Sequence, residues 1–323
     1  MMENQNEQPV LHIRSSRAAI SAGYTLYTAN FRKLVHASWP MAVFYAIAMG
    51  LFSSFYVTEM PRIVVQLMAG NSVQGNMTPM LTGDIAVALL LALLQILATV
   101  LLFSVGVASL REHLATNVIQ QPTHWYGRFD RKALWRTLKG MLWVGLAVLV
   151  IEGLASAVSY CAIGYLGRIA TIVGFILIML LALAIQLPLS YVLPKYLLTE
   201  KGHFANICAK GYPVAIRRLG AVFIVTLVVV IITMLLTLIV QLPANILYMA
   251  NLQSQMGALY GDPLGMPEYI GRLNFAVFVL MGFLQAFIHL STLFPLYYLY
   301  GSIEQQEQER NEMKQQEPAN RSI

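Results

Sequence analysis

Charge is what this sequence has least of. Only 11% of its 323 residues are Asp, Glu, Lys or Arg, where a soluble domain carries about 25%. A chain so poor in charge cannot cover a water-facing surface. With 58% hydrophobic residues and a mean hydropathy of +0.64, it is expected to face lipid. Cysteine is nearly absent as well. Of the two, Cys161 ends one apolar stretch, and Cys208 is expected in a loop on the opposite side, so no disulfide framework is implied. The first 38 residues hold Arg14, Arg17, Arg32 and Lys33 but no apolar core of a cleavable signal peptide, which leaves the first apolar stretch as the expected insertion signal. Enzyme signatures are lacking too. There is no Walker loop, no His-Glu-x-x-His, no Gly-x-Ser-x-Gly and no paired-cysteine metal motif. No catalytic residue, metal or cofactor is therefore expected. His113 and His124, beside Arg111, Glu112 and Asp130, match no metal spacing and read as a solvated loop.

What is present is a series of six long apolar stretches, at residues 39–58, 85–110, 141–163, 169–198, 219–248 and 275–300. Each reaches the roughly 20 residues that a helix needs to cross the hydrocarbon core. The third is interrupted by Glu152, and the fourth holds Pro188 and Pro194, both expected kink points. The resulting expectation is an all-α, polytopic membrane protein. A polar tail over 1–22 and a second over 303–323, continuing the last helix briefly before it frays, flank a six-helix domain over 23–302. Long outside loops are expected near 59–84 and 250–274.

Basic residues orient the spans. All but Arg62, Arg168 and Arg272 of the 21 lysines and arginines fall in segments that six crossings would place on one side. The positive-inside rule makes that side cytoplasmic, with both termini there, in the inner membrane of a bacterium. Trp39, Trp125, Trp135 and Trp143 fall on the same side, where an aromatic belt would anchor them. The net charge of +6 thus reads as topology and not as nucleic-acid binding.

A repeat organises the chain. Ala29-Asn30-Phe31-Arg32-Lys33-Leu34, Ala133-Leu134-Trp135-Arg136-Thr137-Leu138 and Val214-Ala215-Ile216-Arg217-Arg218-Leu219 stand just before the odd-numbered spans. Pro194-Lys195-Tyr196 and Pro295-Leu296-Tyr297 recur near the ends of two even ones. Three helical hairpins are expected, each introduced by a basic amphipathic helix. Arg32, Arg136 and Arg217 would lie at headgroup level and meet anionic lipid on the cytoplasmic face, while the adjacent apolar residue dips into the acyl boundary. The hairpin plan, with the Phe31-Arg32-Lys33-Leu34 and Trp39-Pro40 lead-in, resembles bacterial six-helix integral membrane families of unknown function over roughly residues 20–300. Among them is the membrane domain found fused to some glycerophosphodiester phosphodiesterases. The resemblance implies a helical membrane domain; with no attached phosphodiesterase domain in view, it carries no activity with it.

Ionisable and amide groups at membrane depth are the remaining candidates, because burying them in a bilayer is costly. Gln95, Glu152, Gln186, Gln285 and His289 are expected in the middle or outer half of the spans and form one candidate polar cluster. Gln285 and His289, four apart, share a helix face. Gln241 is a further amide at depth, and Gln241-Leu242-Pro243 repeats the tripeptide Gln186-Leu187-Pro188. Gly153, Ala157 and Cys161, also four apart, suit close packing against another helix. The function these residues point to is a non-enzymatic scaffold, assembly or accessory component, with a protein partner or a second copy as its associate. The alternative is a small transporter or lipid-handling protein that uses the polar cluster around Glu152 and His289.

Overall fold

A computed structural model of the chain describes residues 10–68, 78–121, 130–163, 168–199, 202–259, 267 and 269–320. Every regular element among them is a helix. In chain order these are α1 (Ser16–Ala29), α2 (Phe31–Met68), α3 (Thr78–Thr116), α4 (Arg131–Ile163), α5 (Arg168–Gln186), α6 (Leu189–Leu198), α7 (Phe204–Arg217), α8 (Leu219–Val240), α9 (Leu242–Leu259), α10 (Tyr269–Ser291) and α11 (Leu293–Asn320). Six stretches are long and apolar enough to cross a membrane: Phe31–Glu59, Ile85–Thr116, Arg131–Ser159, Val173–Leu198, Leu219–Val240 and Tyr269–Gln315. Glu152 does not interrupt its helix.

The helix breaks have local causes. Both Gln-Leu-Pro tripeptides fall at one: α5 ends at Gln186 and α6 resumes at Leu189, and α8 ends at Val240 ahead of α9. Proline lacks the N–H that would continue the ladder. Pro194, by contrast, is carried inside α6 without a break. Pro61 also lies within a continuous helix, α2. It leaves the carbonyl of Val57 without its i+4 donor, and Asn251 of α9 donates its side-chain N–H to that oxygen at 2.6 Å. Such substitution by a neighbouring helix is what makes proline tolerable at membrane depth.

Three features differ from the sequence expectation. The described stretches 59–68, 78–84, 250–259 and 269–274 of the two expected loops are helical: α2 runs on to Met68, and α9 folds back on α2, where Tyr56 and Tyr248 stack at 6.3 Å. The Gln- and Glu-rich tail continues α11 to Asn320, as good helix formers do. Of the three basic lead-ins, the first and third each contain a break, at Asn30 and Arg218. The second, including Arg136, is the uninterrupted start of α4. Trp125, His124 and Arg128 lie outside the described residues. Cys208 belongs to α7 and not to a loop.

α2 lies between α3 and α10, and α1 packs along α11. Gly23 permits that last approach: a Cβ there would stand 2.5 Å from the Cα and N of Pro295. Tyr27 donates its hydroxyl to the Phe287 carbonyl at 2.9 Å, and Ser302 Oγ both accepts from the Arg14 N–H and donates to the Arg14 carbonyl. At the other extreme α5 packs almost wholly on α4. Gly153 and Ala157 of α4, expected to meet a neighbouring helix, are exposed, and a Cβ on Gly153 would meet no atom within 4 Å.

Candidate functional site

The five residues of the expected cluster form two separate groups. On the flank of the molecule, Gln186 at the end of α5 donates its amide to Glu152 Oε1 of α4 at 2.7 Å. Both residues are half-buried, and their surroundings are aliphatic: Leu149, Leu154 and Leu183 are all exposed. The second group lies between α2, α3, α10 and the α8–α9 junction. Gln285 is buried, accepts from Gln241 Nε2 at 2.9 Å, and contacts His289 Nε2 at 3.0 Å through its own Nε2. Since the Gln285 oxygen already serves Gln241, its NH₂ is the donor to His289. That fixes the imidazole as the neutral tautomer with its proton on Nδ1. The His289 ring stands edge-on to buried Tyr45, with centroids 6.2 Å apart, and the Tyr45 hydroxyl touches Gln95. A line of polar groups therefore runs from α3 through α2 and α10 to the α8–α9 junction.

Gln241 and Asn245 at that junction line two lateral grooves. One, about 620 Å³, runs beside Thr226, Thr233 and Thr237 of α8; the other, about 350 Å³, lies against Tyr56, Tyr248 and Phe278. Glu152 and Gln186 line neither of them.

The arginines expected at headgroup level have different roles. Arg32 is exposed on α2. Arg217 approaches Glu307 of α11 at 4.0 Å and donates to the Pro213 carbonyl. Arg136 is only partly exposed. It donates to the Tyr196 carbonyl at 2.7 Å, and its guanidinium lies 4.5 Å above the Tyr196 ring. Arg111 of α3 donates through Nε to the next carbonyl, that of Leu197, also at 2.7 Å.

Sequence reasoning missed several functional-looking groups. His113 is not in a solvated loop: it is 2% exposed, and its Nδ1 contacts the hydroxyl of fully buried Tyr297 at 2.9 Å. α3 carries on past the apolar run to Thr116, which turns that face inward against α11. Glu304, assigned to the polar tail, accepts from the Tyr191 hydroxyl and pairs with Lys195. The available signal was the repeated Pro-x-Tyr motif, whose tyrosines Tyr196 and Tyr297 are both buried. Outside the spans, burial pushes the Cys208 thiol of α7 and the Tyr24 phenol of α1 above their ordinary values and lowers the Arg14 guanidinium.

The class that this fold and composition define is a multi-pass helical membrane protein. No protein-family model, curated protein or solved structure matches the chain.

Proposed function

We propose that the chain is a non-enzymatic scaffold or accessory component of a membrane assembly, and that its α4–α5 hairpin docks a transmembrane helix of a partner. The observation that carries this reading is the open face of α4. Only 6% of its apolar window is buried within the chain, against 50% for the last span. Leu142, Leu146, Leu149, Gly153 and Ala157 recur at helical spacing, and all are exposed. Gly153 and Ala157 form a small-x-x-x-small step, which lets a second backbone come close. Glu152 lies beside this face. A carboxyl at bilayer depth costs about 2.5–3.5 kcal/mol against lipid, so a covering helix removes a penalty as well as adding contacts. In this reading the chain forms three hairpins with both termini on the cytoplasmic face of a bacterial inner membrane. The distribution of basic residues and the direct contact of Arg14 with Ser302 support that arrangement.

Mild extraction of the tagged full-length protein tests the docking reading. It should bring down a defined membrane partner, and Gly153→Leu with Ala157→Leu should abolish recovery while the protein stays folded. A protein that is always alone, or a partner retained by the filled face, would overturn the reading.

A second reading, a small transporter or lipid-handling protein, is favoured by the polar line ending at two lateral grooves. Unchanged stability and cellular phenotype in Gln241→Ala and His289→Ala would remove its support.

A further inference from the structure

We propose that the two lateral grooves at the α8–α9 junction hold one uncharged lipid, an isoprenoid quinone, with its ring in the narrower groove and its tail in the wider. This ligand deepens the lipid-handling reading above and rests on it. The grooves share Gln241 and Asn245, so a single molecule can pass from one to the other beside these amides. None of the described lining residues of either groove is charged. A phosphate or an ammonium would lie there without a counter-charge, so the head that fits is neutral.

The wider groove is aliphatic despite its four threonines. Thr226 Oγ1 lies 2.9 Å from Ser190 Oγ, and Thr292 Oγ1 donates to the His289 carbonyl at 2.7 Å. Thr233 and Thr237 are partly exposed, yet their hydroxyl oxygens are buried. What these two offer the groove is a methyl group. With Met234 and Leu238 beside them, the surface suits a hydrocarbon chain and gives a polar head no partner.

The narrower groove has the opposite character. Tyr56 and Tyr248 stack with their planes 23° from parallel, buried Phe278 adds a third ring, and Met49 and Met281 supply thioethers. Aromatic faces and thioether sulfurs favour a flat ring, whereas an acyl chain would make none of their specific contacts. Asn245 supplies the polar anchor. It is exposed within the fifth apolar stretch, and its side-chain amide hydrogen-bonds no other described residue. Asn251, further along α9, is by contrast taken by the Val57 carbonyl. An unpaired amide is costly in an apolar setting, and a ring carbonyl would accept from its N–H. Gln241 gives its NH₂ to Gln285, and its own oxygen remains to accept from the hydroxyl of the reduced, quinol form. Both volumes lie in the range of small-molecule pockets, which are mostly apolar with a few placed polar groups. The site does not need the helix docking proposed for α4.

The test uses full-length protein in phosphatidylcholine nanodiscs that contain a minor fraction of ubiquinone. What stays bound on release into the gas phase is read by native mass spectrometry. Ubiquinone retained over phosphatidylcholine, and falling about tenfold in Asn245→Leu and in Met234→Trp, supports the proposal. The first variant removes the anchor and the second fills the tail groove. Both positions are exposed, so neither change disturbs a buried contact. Retention of phosphatidylcholine alone, or ubiquinone held equally by the parent and both variants, would overturn it. The lipid-handling reading fails separately. A silent phenotype in Gln241→Ala and His289→Ala with ubiquinone bound to the parent removes transport and supports the ligand. A clear phenotype with no ubiquinone bound overturns the ligand and leaves lipid handling standing.

Discussion

Two glycine-to-alanine substitutions, identical in chemistry, should have opposite effects. At Gly23 the new methyl would stand 2.5 Å from the backbone of Pro295. Ordinary carbon contacts are about 3.5–4.0 Å, so α1 must retreat by about 1 Å or more. Overfilling a packed contact costs roughly 1–3 kcal/mol. A retreat of that size also lengthens the Tyr27–Phe287 and Arg14–Ser302 hydrogen bonds past useful geometry, and each is worth about 0.5–1.5 kcal/mol. The expected net loss for Gly23→Ala is roughly 2–6 kcal/mol, confined to the contacts of the N-terminal segment with α10 and α11. At Gly153 a methyl meets nothing, so Gly153→Ala should be neutral or gain up to about 1 kcal/mol from helix propensity. Unfolding of the purified protein in mixed detergent and dodecyl sulfate micelles measures both. Limited trypsin digestion at exposed Arg17 reports whether α1 has lifted. Equal stability and equal protection at Arg17 in the two variants would refute the close approach of α1 to α11.

Two further outcomes follow from burial. Tyr191→Phe removes the hydroxyl that the Glu304 carboxylate accepts from beside Lys195, so thermal unfolding in detergent should show a loss of about 1.5–3 kcal/mol, and a loss under about 0.5 would contradict the network. The Cys208 thiol is raised by desolvation and holds less thiolate than a free thiol at any pH below its own pKa. In a Cys161→Ser background, alkylation at neutral pH should thus be slower than for a small thiol and keep climbing beyond about pH 8.5, whereas a rate already flat at pH 8 would place the shift in the wrong direction.

Span-length helices were legible because hydropathy summed over 20 residues is a strong signal, and the two Gln-Leu-Pro tripeptides marked real breaks. Which faces meet was not legible. Tyr45 gives no sequence sign that it lies between Gln95 and His289, since that depends on how α2 inserts between α3 and α10. Glu152 and Gln285 share a similar depth by counting, yet depth says nothing about azimuth, and they face different neighbours. Gly153 and Ala157 read as a packing step, but periodicity cannot say whether the second helix is in the same chain. His113 looked solvated because helix ends are judged by composition, while the continuation of α3 to Thr116 is set by contact with α11.

The clasp that α10 and α11 place on α1 also has a history in time. Tyr27 leaves the ribosome 260 residues before the carbonyl it will hold. At elongation rates of about 5–20 residues per second, that is a wait of roughly 10–50 s. By its end the five earlier spans can already be in the bilayer while α1 still lacks its seat. The architecture is therefore sealed from its final segment backwards, and any shortfall in the last span leaves the first helix loose as well.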